Sequence, residues 1–226
     1  MARFKRMQVL NTILNVGMVP IFYDPNVDIA KNVVKACVAG GAQAIEFTNR
    51  GDRALHVFHE LITFLDKEAP EAILGVGSVL DPVTAGMYIN EGANFVVGPS
   101  FNAEVAKLCN RRKIAYSPGC SGPAEISLVE EYGVEIVKIF PAAQLGGPGF
   151  IKAVLGPCPW HTLMPTGGVD ATRENLESWF KAGVACVGLG SNLIRKDLIA
   201  AGDYATMTQL IAQVVQWIAE IRAEMA

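Results

Sequence analysis

Residues 43–78 read QAIEFTNRGDRALHVFHELITFLDKEAPEAILGVGS. Gln43–Thr48 and Ile73–Ser78 are short, β-rich apolar runs that end in polar or glycine positions. Between them Leu55, Phe58, Leu61, Ile62 and Leu65 recur at steps of three and four, the period of an amphipathic helix over Arg53–Leu65. One strand, one helix and one strand in about 35 residues is the size of a βαβ unit.

The same alternation extends in both directions. The spacing predicts further strands at Gly17–Tyr23, Asn94–Gly98, Ile114–Pro118, Val134–Phe140, His161–Thr166 and Val184–Gly190. Helical spacing covers Asp28–Val38, Pro82–Glu91, Ala103–Arg111, Ala124–Tyr132, Gly149–Leu155, Thr172–Ala182 and Tyr204–Ala226. Gly92, Gly133 and Gly183 follow helices where C-terminal caps belong. No linker divides the 226 residues. Eight βα units in one domain, 1–226, predict an α/β fold: a single (β/α)8 TIM barrel preceded by an N-terminal helix. The rival, an open doubly wound sheet, would place a glycine-rich dinucleotide loop after the first strand. Asp24-Pro25-Asn26 stands there instead, Gly75-Val76-Gly77 lacks the third glycine, and there is no Walker loop.

Composition narrows the function classes. Nineteen basic residues stand against 22 acidic ones, net −3, with no long basic stripe; the local basic cluster of Arg3, Lys5 and Arg6 is placed on the polar side of the first helix. That argues against nucleic acid as a partner. No apolar run reaches the ~18–20 residues of a membrane span. Gln8, Asn11 and Asn15 interrupt the N-terminal apolar stretch, so it makes a poor signal peptide and the expected location is the cytoplasm. The five cysteines, Cys37, Cys109, Cys120, Cys158 and Cys186, are dispersed and form no Cys-x-x-Cys, which fits a reducing compartment and no zinc site. His56 and His59 share a helix with Glu60, but structural zinc takes four ligands, and they read as exposed helix residues. Trp160 and Trp179 read as packing residues.

Barrel chemistry gathers at the C-terminal ends of the strands. Glu46, Thr48 and Arg50 have period two, so they share a face, with Ile45 and Phe47 turned to the helices. An inward carboxylate costs several kcal/mol unless paired or hydrated. In Val134-Glu135-Ile136-Val137-Lys138-Ile139-Phe140-Pro141, Lys138 points inward with Ile136. Burial disfavours an ammonium and frees an amine to attack carbonyls. Thr166-Gly167-Gly168 and Gly188-Leu189-Gly190-Ser191 end the last two strands, where barrels commonly hold phosphate. Asn192-Leu193-Ile194-Arg195 reads as the start of a short helix whose N-terminus would add to that anion site. Each feature has a plain structural counterpart: Lys138 snorkelling to solvent, Glu46 as its ion-pair partner, the glycines as tight turns. Their convergence on one rim favours a catalytic site. His161 begins a strand and so lies at the opposite rim. Cys120, with no histidine partner evident, reads as a small residue lining the active rim.

Four ordered motifs carry a resemblance. Glu46-Phe47-Thr48-Asn49-Arg50, Gly75-Val76-Gly77-Ser78-Val79, Lys138-Ile139-Phe140-Pro141-Ala142 and Pro165-Thr166-Gly167-Gly168-Val169 together resemble the 2-keto-3-deoxy-6-phosphogluconate aldolase / 4-hydroxy-2-oxoglutarate aldolase family, over almost the whole chain. The resemblance implies a class I aldolase with no metal or other cofactor. It implies Lys138 as the Schiff-base lysine, Glu46 as general acid/base, and Arg50 and Ser78 at the keto-acid carboxylate. Thr48, Pro99, Phe140 and Thr166 would line the pocket, and Gly167, Gly168, Gly190 and Ser191 would hold the substrate phosphate. The implied partners are a small 2-keto acid and a phosphorylated aldehyde, and the implied assembly is a homotrimer. Val76 and Ser78 replace the family's usual Gly-Ala-Gly-Thr, and Cys120 stands where an aliphatic residue is usual; both bear on the preferred aldehyde. The competing readings are a 2-keto-3-deoxy-6-phosphogalactonate aldolase, a phosphosugar isomerase or epimerase barrel, and a non-catalytic phospho-ligand-binding barrel.

Overall fold

The computed structural model describes residues 2–225. Eight strands alternate with helices along the chain: β1 (Met18–Phe22), β2 (Ala44–Thr48), β3 (Ile73–Gly77), β4 (Phe95–Gly98), β5 (Ala115–Cys120), β6 (Val137–Ile139), β7 (Leu163–Pro165) and β8 (Val187–Leu189). Between them lie α2 (Val27–Ala39), α3 (Ala54–Glu68), α4 (Pro82–Asn90), α5 (Ala103–Arg112), α6 (Pro123–Glu131), α7 (Pro148–Leu155) and α8 (Arg173–Lys181). An N-terminal helix α1 (Arg6–Val16) precedes them, and α9 (Lys196–Ala201) and α10 (Tyr204–Met225) follow. The expected last residue of the final helix, Ala226, lies outside the described residues. Every expected strand forms, and so does every expected helix except the helical start at Asn192.

All strands pair in parallel, in the order β7-β6-β5-β4-β3-β2-β1-β8. The ring closes between β7 and β8 through a bridge between Thr166 and Gly188 and a 3.0 Å bond from the Ala185 N–H to the Leu163 carbonyl. The result is a (β/α)8 barrel. Asn26, Asp81, Asn102 and Thr172 start α2, α4, α5 and α8 by accepting backbone N–H bonds, as N-caps do. Gly183 takes a φ of +103° directly after the C-cap of α8, a conformation other residues rarely adopt.

Two separate apolar clusters follow from strand alternation. The outward residues, among them Ile45, Phe47, Val137 and Ile139, pack under the helices. The inward ones, Val19, Ala44, Ile73, Phe95, Val97, Ala115, Ile136, Met164 and Cys186, fill the lower barrel. Val9, Leu10 and Ile13 of α1 complete that inner cluster and plug the N-terminal end. Arg222 of α10 locks the plug by donating to the Leu14 and Asn15 carbonyls at 2.8 and 3.1 Å. Arg3 and Lys5 precede α1 rather than riding on it. Arg3 instead ties the chain start to Asp66 at 2.8 Å and to the Asn94 side chain at 3.1 Å.

Three further expectations are corrected. Trp160 is 68% exposed, in a turn before β7, whereas Trp179 is buried and donates to Asn175 at 3.1 Å. Cys120 does not line the barrel. Strand β5 runs two residues past Pro118, so alternation turns Cys120 outward with Tyr116 into the layer under the helices. Burial there pushes its thiol up to about 12, which makes it inert. Finally, Asn192–Arg195 forms a turn, held by Leu193 and Ile194 N–H bonds to the Gly190 carbonyl, and the helix begins only at Lys196. Its six residues supply no helix N-terminus to the glycine loops.

Candidate active site

Along each inward strand face, the residue two positions on lies one level nearer the C-terminal mouth. Above Ala44 comes Glu46, and above Ile136 comes Lys138. Both are buried, with exposures of 1% and 6%. Space for the Glu46 carboxyl comes from a glycine, Gly77. Register sets Glu46 beside Gly75 and Lys138 beside Gly119. One level up, a Cβ on Gly77 would overlap the Glu46 carboxyl, and a Cβ on Gly75 would overlap the Phe95 ring. Glycine is thus required on β3 by what crosses the barrel, not by backbone conformation. Gly77→Ala is expected to swing the carboxyl aside and lower kcat about 10²-fold, with the far-UV circular dichroism unchanged, since a misplacement of about 1 Å can cost that much.

Two opposing influences act on the Glu46 carboxyl. Burial raises the Glu46 pKa above the ordinary carboxylate range, while the positive charges of Lys138 and Arg50 pull it back down. Glu46 Oε2 has no hydrogen-bond partner among the described residues, and neither has Thr166 Oγ1. Buried polar atoms are nearly always paired, so each such orphan asks for a functional explanation. Lys138 Nζ stands 5.3 Å from the centroid of the Phe140 ring, two residues along the same face.

Toward the mouth opens a cleft of about 570 Å³, walled by the ends of β6, β7, β8, β1 and β2; Glu46 and Lys138 lie one level below its lining residues Thr48 and Phe140. Thr48, Arg50, Phe140, Thr166, Gly167, Gly168, Gly190 and Ser191 all line it. Eight of the sequence-predicted site residues therefore converge on one cavity. Gly167 and Gly168 hold φ values of +87° and +83°, and a Cβ on Gly168 would overlap Ala143. That loop exists in this form only with glycine. The Thr48 hydroxyl donates to the Phe22 carbonyl at 3.3 Å, so this residue braces β1 against β2.

The remaining predicted residues differ in detail. Arg50 does not arrive by strand alternation. Strand β2 ends at Thr48, and the Arg50 N–H folds back to the Thr48 carbonyl at 2.9 Å. This turn carries the guanidinium to Ser78, whose Oγ accepts from Nε at 3.3 Å. Ser78 itself sits just past β3 at φ +60°, a left-handed conformation in which a β-branched residue would be more strained. Ser78 and Pro99 stand at the β3 and β4 side of the rim, outside the cleft wall, with the Pro99 carbonyl packed against Gly119. Sequence reasoning missed Tyr23, Asp24, Asn192 and Lys196, which also line the cleft. The signal for them was position: each follows a barrel strand at its C-terminal end. Among the described residues no group of three or more histidines, cysteines or acids could hold a metal ion. His59 pairs with Glu91 and the buried His161 with Glu130, both at 2.6 Å and both away from the cleft.

The protein is a parallel (β/α)8 barrel with a lysine and a carboxylate buried toward the mouth, and its relatives show it to be an aldolase, a lyase of carbon–carbon bonds. The chain belongs to the KDPG and KHG aldolase family, whose model matches residues 9–210. It is 34% identical over 206 residues to the KHG/KDPG aldolase of Escherichia coli K12, covering 91% of this chain and 94% of that one. Its fold superposes with a TM-score of 0.81 on the KDPG aldolase of Legionella pneumophila, a structure with pyruvate captured as a covalent carbinolamine. The two chains are 26% identical, with 90% of this chain and 97% of that one covered. A designed protein cage made by fusing symmetric oligomeric domains also matches, with a TM-score of 0.81 and 27% identity over 92% of this chain and 74% of that one. No helix among the described residues is long and apolar enough to cross a membrane.

Proposed function

We propose that this chain is a Schiff-base aldolase cleaving 2-keto-3-deoxy-6-phosphogluconate to pyruvate and glyceraldehyde 3-phosphate, with 4-hydroxy-2-oxoglutarate as a second substrate. The observation that carries it is a buried lysine and a buried glutamate with an unpartnered Oε2, both on the inward strand face, one level below a cleft with an arginine on one side and glycine loops on the other. The carbinolamine in the Legionella relative supports the covalent route.

Neutral Lys138 attacks the C2 carbonyl and forms a carbinolamine, which loses water to give a protonated imine. Glu46, directly or relayed by water, takes the C4 hydroxyl proton. The C3–C4 electron pair then moves into the imine, the aldehyde leaves, and an enamine of pyruvate remains. Glu46 returns the proton to C3, and hydrolysis frees pyruvate and the amine. Arg50, steadied by Ser78, orients the substrate carboxylate. The Gly167–Gly168 loop, Gly190 and Ser191 hold the phosphate. Phe140, Thr48, Pro99 and Thr166 shape the surroundings of the carbon chain.

The test is pyruvate release coupled to lactate dehydrogenase, over a panel of 2-keto-3-deoxy acids. The phosphogluconate acid should turn over fastest, the galactonate epimer and 4-hydroxy-2-oxoglutarate more slowly. A barrel isomerase, or a non-catalytic binder of phosphorylated ligands, would release no pyruvate from any of them.

We further infer that the chain works as one barrel domain in a cytoplasmic homotrimer. Support comes from the five unpaired cysteines and from the apolar side chains of Leu80, Val83 and Met87, left exposed at the start and along the outer side of α4. Light scattering should give three times the chain mass, and Val83→Asp with Met87→Asp should lower it.

A further inference from the structure

The charged side chains lining the cleft are Asp24, Arg50 and Lys196. They follow β1, β2 and β8, three neighbouring strands of the barrel. Around the mouth they therefore run cation, anion, cation, with Asp24 between the two positive groups. Arg50 and Lys196 have no carboxylate within 4 Å among the described residues, unlike their neighbour Arg195, which is held by Asp197 at 3.0 Å. Asp24 turns its Oδ1 to the Asn26 backbone N–H at 2.8 Å. Asn192, a further polar group on this wall, donates to Asp170 and is thereby tied back.

We propose that Lys196 is the residue that sets this cleft's preference for substrates with a distal phosphate. The proposal rests on the aldolase reading above and deepens it. A 2-keto-3-deoxy-6-phospho acid is a linear chain with a carboxylate at one end and a phosphate at the other. With its carboxylate at Arg50 and its C2 at Lys138, the far end runs to Gly167, Gly168, Gly190 and Ser191. Those groups offer backbone N–H bonds and a hydroxyl, which orient a phosphate but bring no net charge. Lys196 is the cation on that side of the cleft and the only one of the three lining charges suited to balance a dianion there. 4-Hydroxy-2-oxoglutarate is one carbon shorter and ends in a carboxylate in place of the phosphate, so it brings less reach and less charge to that side. The same site thus treats its two substrates differently through one exposed, unpaired ammonium.

The ammonium is exposed, so its effect is screened by salt and falls mainly on substrate capture. Lys196→Met is expected to lower kcat/KM for the phosphorylated acid about tenfold, through KM, with kcat within about twofold. Lys196→Glu is expected to lower it about a hundredfold, and Lys196→Arg to restore most of it. Near 1 M salt, where the screening length is about 3 Å, the Met deficit should shrink severalfold. The control is borohydride trapping of pyruvate, which carries no phosphate and should proceed at the wild-type rate in all three variants. If wild type does not trap pyruvate, the aldolase reading itself falls. If trapping is intact but the Met and Glu variants keep full kcat/KM, or if they slow trapping as much as turnover, Lys196 has no phosphate role and only this proposal is overturned.

Discussion

Lys138→Ala is expected to remove turnover, lowering kcat by at least about 10⁴-fold, because loss of a covalent nucleophile leaves only binding and residual electrostatics. Sodium borohydride with pyruvate should add one reduced pyruvyl group to the wild-type protein, at Lys138, and none to the variant. The fold should persist. Removing the lysine takes away one of the two charges that hold the Glu46 pKa down, so this carboxyl shifts toward its neutral form, which burial already favours. A buried neutral acid costs far less than a buried unpaired charge. Lys138→Met fills the same volume beside Gly119 and serves as the better-packed control. Lys196 lines the same cleft, so a peptide map is decisive: a label on Lys196 or elsewhere would remove Lys138 from the chemistry.

Glu46→Gln should give the second-largest effect, a fall in kcat of about 10²–10⁴-fold, the usual worth of a positioned acid–base group. Glutamine has the same shape, so it fits over Gly77 where a larger group would not. Pyruvate should still be trapped, since the lysine is untouched. The pH profile separates this role from a structural one. As a base, Glu46 must be ionised, so activity falls as pH drops through its folded-state pKa. Burial raises that pKa above its ordinary 4.5, which moves the acid limb of kcat toward neutrality. In the Gln variant the limb should vanish. Its persistence, or turnover at the wild-type rate, would show that another group moves the proton.

Much of this site could be read before the fold was seen, and the reason is geometric. Strand alternation is a local property with a period of two, so Ile45 and Phe47 facing the helices place Glu46 inside, and Val137 and Ile139 do the same for Lys138. Where the period rule was carried past the end of a strand, or stopped short of it, it failed. Arg50 reaches the cleft through a turn after Thr48, and Cys120 belongs to a strand longer than its apolar run suggests. Trp160 is aromatic yet exposed, because its segment lies in a turn beyond the reach of the helical layer.

From its residues alone, the chain determines eight βα units, the inward facing of Lys138 and Glu46, and the glycine loops that end β7 and β8. These depend on local periodicity and on backbone freedom, which neighbouring residues supply. Ring closure through Thr166 and Gly188, the plug formed by α1, the clearance over Gly77 and the gathering of Asp24, Arg50 and Lys196 around one mouth were decided only by tertiary structure. Each depends on the distance between segments remote in sequence, and that distance is set when the sheet curls and its first and last strands meet.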